Sequence, residues 1–143
     1  MKCTIIGTGK DKDMIQRYID QKGLRDCVHL VGFMQHSDLK ALYLGATNAV
    51  YCSTSVSETF GQNIIEAGIC RLPIFTNKNI ETDNMFLHAE NAYVFHSVET
   101  CVAQLQDVMH LSGTERAHLA QLSMQNCRSY DMDTSINTYF HQQ

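Results

Sequence analysis

The residues best able to do chemistry lie between positions 53 and 73. The run reads Ser53-Thr54-Ser55-Val56-Ser57-Glu58-Thr59-Phe60-Gly61-Gln62-Asn63-Ile64-Ile65-Glu66-Ala67-Gly68-Ile69-Cys70-Arg71-Leu72-Pro73. Thr59 with Gln62 matches a capping box, which predicts a helix starting at Phe60. The N–H groups of Phe60, Gly61 and Gln62 would then have no intrahelical acceptor. Together with the helix dipole they would favour an anion or a hydroxyl. Gly61 has no side chain, so a ligand could approach the backbone closely. Two carboxylates frame this turn. Glu58 precedes the helix, and Glu66 sits within an otherwise apolar run from 64 to 70, where a carboxylate needs a partner or an exposed face. An ionised carboxylate is a pure acceptor, suited to gripping paired hydroxyls. Each acid alone reads as a helix-start charge or a solvent-facing position. The two together with the glycine turn point to a hydroxylated ligand.

A second, shorter signal is Gly7-Thr8-Gly9-Lys10. It has the strand-to-helix context of a phosphate-cradling turn. It lacks the third glycine of G-x-G-x-x-G, because position 12 is Lys12, and no Ser or Thr follows the Gly-Lys pair as a P-loop requires. A tight turn that simply needs glycine explains it equally well. No Ser or Cys has the context of a nucleophile elbow. The histidines at 29, 36, 88, 96, 110, 118 and 141 are scattered, without a metal-binding spacing. The six cysteines show no C-x-x-C pair, and Cys3, Cys52 and Cys70 fall in apolar segments. They read as small buried hydrophobes of a reducing, cytosolic compartment.

Short apolar runs alternate with helical patterns along the chain. Strands are predicted at 3–7, 28–33, 49–53, 73–76 and 92–95. Helices are predicted at 11–22 (with Met14, Ile15 and Tyr18 on one stripe and Gly23 as C-cap), 37–44 (capped by Ser37), 60–70, 98–111, 114–128 and from about 133. This alternation implies βαβ units: an α/β fold with a parallel sheet of about five strands and helices on both faces. Ligands of such sheets sit beyond the carboxyl ends of the strands, so the loops after Gly7, Phe33, Ser53 and Thr76 are the ones to search.

The chain has 143 residues, 44% hydrophobic and 18% charged, which suits one domain (residues 1–143) and excludes a disordered chain. No apolar run approaches a membrane span, and the short apolar start is not a signal peptide. A net charge of −4 argues against a nucleic-acid partner or a polybasic membrane surface.

With these residues in view, the chain resembles the GT4-type, GT-B-fold retaining glycosyltransferases. Glu58-Thr59-Phe60-Gly61, Glu66-Ala67 and Pro73 resemble that family's E-x7-E signature. Ile5-Ile6-Gly7-Thr8-Gly9 resembles its strand ending in a Gly-x-Gly turn, Val28 to Phe33 its "V-x-F-x-G" strand, and Leu39 to Tyr51 its "L-x-x-x-Y…A-D-V" stretch. The resemblance covers nearly the whole chain, and residues 131–139 resemble the family's terminal helix. It implies the carboxy-terminal of two Rossmann-like domains, the one that holds a nucleotide-sugar such as a UDP- or GDP-sugar. By position, Glu58 would contact hydroxyls of the transferred sugar. The backbone from Thr59 through Phe60 and Gly61 to Gln62 would meet sugar and phosphate oxygens. Glu66 would accept from the ribose hydroxyls, Met34 and His36 would line the base, and Gly7 and Gly9 would approach base or phosphate. No metal or other cofactor is expected. The resemblance places the catalytic base and acceptor groups in an amino-terminal domain, which could bring the protein to the inner membrane surface.

Three departures stand out. The family's "E-A-M-A-x-G-x-P" reads Glu66-Ala67-Gly68-Ile69-Cys70-Arg71-Leu72-Pro73, so its helix-ending glycine is Arg71, a poor residue for a left-handed cap. The family's Gly-Gly-x-x-Glu reads Lys78-Asn79-Ile80-Glu81-Thr82. The strand-loop-helix unit that precedes the 5–7 strand, whose loop supplies an Arg and a Lys for the diphosphate, has no counterpart here. The isolated chain is therefore expected to be inactive as a transferase. Its sheet is expected either to close up in the order 3-2-4-5-6 or to accept a strand from elsewhere. A sugar-nucleotide epimerase or phosphorylase of the same fold, and a non-catalytic nucleotide-binding or interaction module, are the alternative readings.

Overall fold

The computed structural model describes residues 1–56, 61–78 and 90–130. All five expected strands are present, in an α/β arrangement of parallel ladders with helices on both sides. They fall into two sheets rather than one closed array. The chain divides into two units, residues 1–41 and those from Leu42 onward.

In the first unit β1 (Cys3–Ile6) pairs in parallel with β2 (Val28–Gly32). The register runs Cys3↔Val28 to Ile5↔Leu30, then slips so that Ile6 faces Gly32. Gly32 takes a positive φ of 75° at the slip, a backbone that a residue with a Cβ would resist. Its carbonyl accepts the Gly7 N–H at 2.8 Å. Helix α1 (Lys12–Gln21) links the strands and ends at Lys22, with left-handed Gly23 beyond it as expected. Its inward face differs from the expected stripe. Ile19 is buried and Ile15 half-buried, while Met14 and Tyr18 point outward. The Lys22 ammonium lies 5.6 Å from the Tyr18 ring, a contact available to an outward aromatic. Helix α2 (His36–Gly45) runs across the boundary, with Tyr43 in the second unit, and starts before Ser37, because the Asp38 and Leu39 amides bond the Gln35 carbonyl. Ser37 is thus inside the first turn and is not its cap.

In the second unit β3 (Tyr51–Ser53), β4 (Ile74–Asn77) and β5 (Tyr93–Phe95) form a parallel sheet in that order. Helix α3 (Gln62–Ile69) joins β3 to β4. Helices α4 (Val98–His110) and α5 (Gly113–Arg128) follow β5. Both late helices carry capping boxes: Ser97 with Thr100, and Ser112 with Glu115. The core centres on Phe75, Phe95 and Val108, with the Tyr93 ring stacked on Phe75 at 4.6 Å. Phe75 is fully buried, and that alone stabilises by roughly 1.5–3 kcal/mol. On α5, buried Ser123 Oγ donates to the Asn91 carbonyl at 2.9 Å and accepts the Ile74 N–H at 3.4 Å, tying the entries of β4 and β5 together. None of the six cysteines is joined in a disulfide. Cys127 is buried, but Cys3 and Cys52 are exposed and not the buried hydrophobes expected, because the strands that carry them leave those faces uncovered. The helix expected from about 133 lies outside the described residues.

Candidate functional site

The carboxyl ends of β3 and β4 and the amino end of α3 converge on one region of the second unit. Ser53 ends β3, and its Oγ accepts the Ser55 N–H at 3.4 Å, which turns the chain out of the sheet. Glu58, Thr59 and Phe60 lie outside the described residues. The helix begins at Gln62, two residues later than the capping-box pattern predicts, with Gly61 as its N-cap. The reason is local. Gly61 adopts φ 66°, ψ 37°, a left-handed conformation that interrupts a right-handed helical run. An added Cβ there would sit 3.3 Å from Ile64 Cδ1.

This geometry sets which amides are open. The Gly61 carbonyl accepts both the Ile64 and the Ile65 N–H, at 2.9 and 3.1 Å. Among the described residues no side chain caps the helix. Among the described residues the amides of Gln62 and Asn63 are therefore the donors left at the helix start, one position on from the expected set. Partial positive charge gathers there, suited to an oxyanion or a hydroxyl.

Glu66 follows one turn later and is half-buried, so it neither faces open solvent nor lies deep in the core. Its charge is felt by Tyr43, a buried residue of α2. Burial pushes the Tyr43 phenol up to about 12, and the Glu66 carboxylate and then Cys70 add to the effect. The Tyr43 ring meets Tyr51 edge-on, with centroids 6.0 Å apart. In the sequence Tyr43 is simply one residue of the helix expected over 37–44. Nothing in a 23-position separation from Glu66 marks the pair in the sequence.

The other candidates belong to the first unit. Gly7 has φ 125°, and its N–H is bonded to Gly32. The Gly9 carbonyl accepts the Lys12 N–H at 3.2 Å, closing the turn into α1. Met34 is half-buried, and His36 is an exposed first residue of α2. The β1–β2 pairing brings the loops carrying these four residues to the same end of the two-stranded sheet. Arg71 does adopt the left-handed backbone, at φ 66°. Its N–H bonds the Gly68 carbonyl at 2.8 Å and the Leu72 N–H bonds Ala67 at 3.1 Å, the paired closure that glycine usually allows. The Lys78 N–H bonds the Phe95 carbonyl at 2.7 Å, and residues 79–82 of that loop lie outside the described residues. Among the described residues no three His, Cys, Asp or Glu side chains gather around one point.

A family model described as "Glycosyl transferases group 1" matches residues 1–123. Among curated proteins the chain is 29% identical over 101 residues to the alpha-monoglucosyldiacylglycerol synthase of Acholeplasma laidlawii. That match covers 71% of this chain and 25% of that protein. It is 36% identical over 70 residues to the GtfA subunit of the UDP-N-acetylglucosamine–peptide N-acetylglucosaminyltransferase of Streptococcus gordonii, covering 49% of this chain and 13% of that one. The crystal structure of Anabaena HepE in complex with UDP matches with a TM-score of 0.82 at 18% identity, over 99% of this chain and 40% of that chain. At that identity the likeness speaks for the fold. The chain spans a quarter or less of the length of these curated relatives.

Proposed function

The chain belongs to the glycosyl transferases group 1 family, and from that premise we propose that it is the donor-binding part of a retaining glycosyltransferase. In the complete enzyme a sugar would pass from a nucleotide-sugar to an acceptor. The fold is that of the GT-B glycosyltransferases. The observation that carries the reading is the amino end of α3, where Gly61 is left-handed and the Gln62 and Asn63 amides have no acceptor among the described residues, one turn before Glu66.

The chemistry follows from that end. As the bond between the anomeric carbon and the phosphate oxygen breaks, negative charge grows on the leaving diphosphate. Amides already pointed at that charge stabilise it without reorganising, so the reading needs no metal. Glu66 is assigned to the ribose hydroxyls. Glu58 is assigned to the sugar hydroxyls, and the backbone of Thr59 and Phe60 to sugar and phosphate oxygens. Met34 and His36 are assigned to the base, and Gly7 and Gly9 to close backbone approach. The acceptor-binding and catalytic groups are assigned to a separate domain. HepE is described in complex with UDP, which makes a uridine diphosphate the first nucleotide to try.

Calorimetric titration of the chain with UDP, GDP and ADP tests this. One diphosphate should bind in preference to the others. Its affinity should drop about tenfold or more in Glu66→Ala, the loss expected for hydrogen bonds to a charged acceptor. Absence of binding to all three would favour a non-catalytic module. Sugar transfer by the chain alone would overturn the assignment of catalysis to a separate domain.

A further inference from the structure

The second unit holds a cavity of about 220 Å³ far from the α3 amino end. It lies where the chain enters β3 and β4, at the amino ends of those strands. Ala49 and Pro73 form part of its wall, together with the first turns of α5 at Gly113 and Arg116. Only two non-glycine residues among those described have a positive φ, Asn48 at 57° and Arg71 at 66°. Both line this one cavity. A left-handed backbone disfavours residues that carry a Cβ. The usual glycine at position 71 would avoid that cost, and a cation could serve the end of α3 from its last turn with no left-handed residue.

The electrostatics point the same way. Arg71 and Arg116 both line the cavity, and among the described residues no Asp or Glu does. The neighbouring carboxylate, Glu115, is committed to the Ser112 cap at 2.7 and 2.8 Å. Arg116 donates one N–H to the Leu111 carbonyl at 3.3 Å, and its five-donor fork has no other acceptor among the described residues. It stands in the first turn of α5, the end where a helix repels a cation and attracts an anion. Two arginines lining one recess, with no carboxylate among its described lining residues, favour an anion that both can reach. A phosphate group, with three acceptor oxygens and up to two charges, matches two planar forks.

We propose that this cavity binds a phosphate group of a small soluble molecule, separately from the donor site. The test is an amide-resolved NMR titration of the full chain in chloride buffer, with inorganic phosphate and with glycerol 3-phosphate as the two probes. Saturable shifts should centre on Asn48 and Gly113, with a dissociation constant of about a millimolar or tighter from two charge-assisted contacts. Tighter binding of inorganic phosphate would identify free phosphate as the source, and tighter binding of the ester a phosphorylated metabolite. Arg71→Gly should weaken binding about tenfold while melting at the same or a higher temperature, because it relieves the left-handed backbone. Arg116→Gln should weaken binding similarly. No saturable shift with either probe, or affinity unchanged in both variants, would overturn the proposal. So would shifts centred on Gln62 and Asn63, which would place the phosphate at the donor site instead.

Discussion

Gly68 of α3 lies directly against Cys127 of α5. A Cβ added at position 68 would overlap the Cys127 sulfur, lie 3.0 Å from its Cβ and sit 3.4 Å from the Ser123 carbonyl oxygen. The absence of a side chain lets the two helices pack, and α5 in turn carries the Ser123 hydroxyl to the entries of β4 and β5. Glu66 and Gly68 share α3, so this contact also seats the helix that presents the candidate site.

Gly68→Ala should therefore destabilise the fold by about 1–3 kcal/mol through overpacking. Helix propensity alone predicts the opposite sign, a gain of about 1 kcal/mol for Ala over Gly. Urea denaturation separates the two. The double variant Gly68→Ala/Cys127→Ala, which removes the overlapping sulfur, should recover part of the loss.

Ser123→Ala should cost about 1–3 kcal/mol, since it leaves a buried carbonyl and a buried N–H without their shared hydroxyl. The reduced midpoint of urea unfolding should appear with an unchanged slope, because the surface exposed on unfolding is the same.

Burial pushes the Cys127 thiol up to about 12 from its ordinary 9.0. The folded chain holds that proton more tightly than the unfolded chain does. Its contribution to stability is thus complete below pH 9 and is lost as pH rises through 9 toward 12. The urea midpoint should fall on raising the pH past about 9. Cys127→Ala should start lower at neutral pH but show a flatter decline over that window.

The neighbourhood of Tyr43 can be read out directly. Its ordinary value of 10.0 is raised to about 12, by burial first and by Glu66 next. In Glu66→Gln the phenol should titrate at lower pH than in the parent chain, yet still above an exposed tyrosine because burial persists. Near-ultraviolet absorbance of tyrosinate measures this, with Tyr43→Phe identifying the transition. An unchanged transition in Glu66→Gln would show that the carboxylate does not face Tyr43.

Much of the fold was legible in local patterns. Gly23 closes α1 as its position suggested, and the order of strands and helices follows the alternation of apolar runs and helical periods. The misplacements share a cause. The start of α3 moved from Phe60 to Gln62 because Gly61 took a left-handed conformation, which a capping-box pattern does not encode. Met14 and Tyr18 were grouped with Ile15 by periodicity, but which side of an amphipathic helix turns inward depends on what packs against it.

By itself the sequence determined the family, the α/β class and the acidic and glycine residues that read as donor-binding, because these depend on residue types at short, fixed spacings. Only the tertiary structure decided the division into two ladders, the electrostatic effect of Glu66 on Tyr43, the fit of Gly68 to Cys127 and the lining of one cavity by Arg71 and Arg116. Each of these joins residues far apart in the chain. Such contacts depend on how helices and strands pack once formed, and packing is set by the shapes of both partners together rather than by either segment alone.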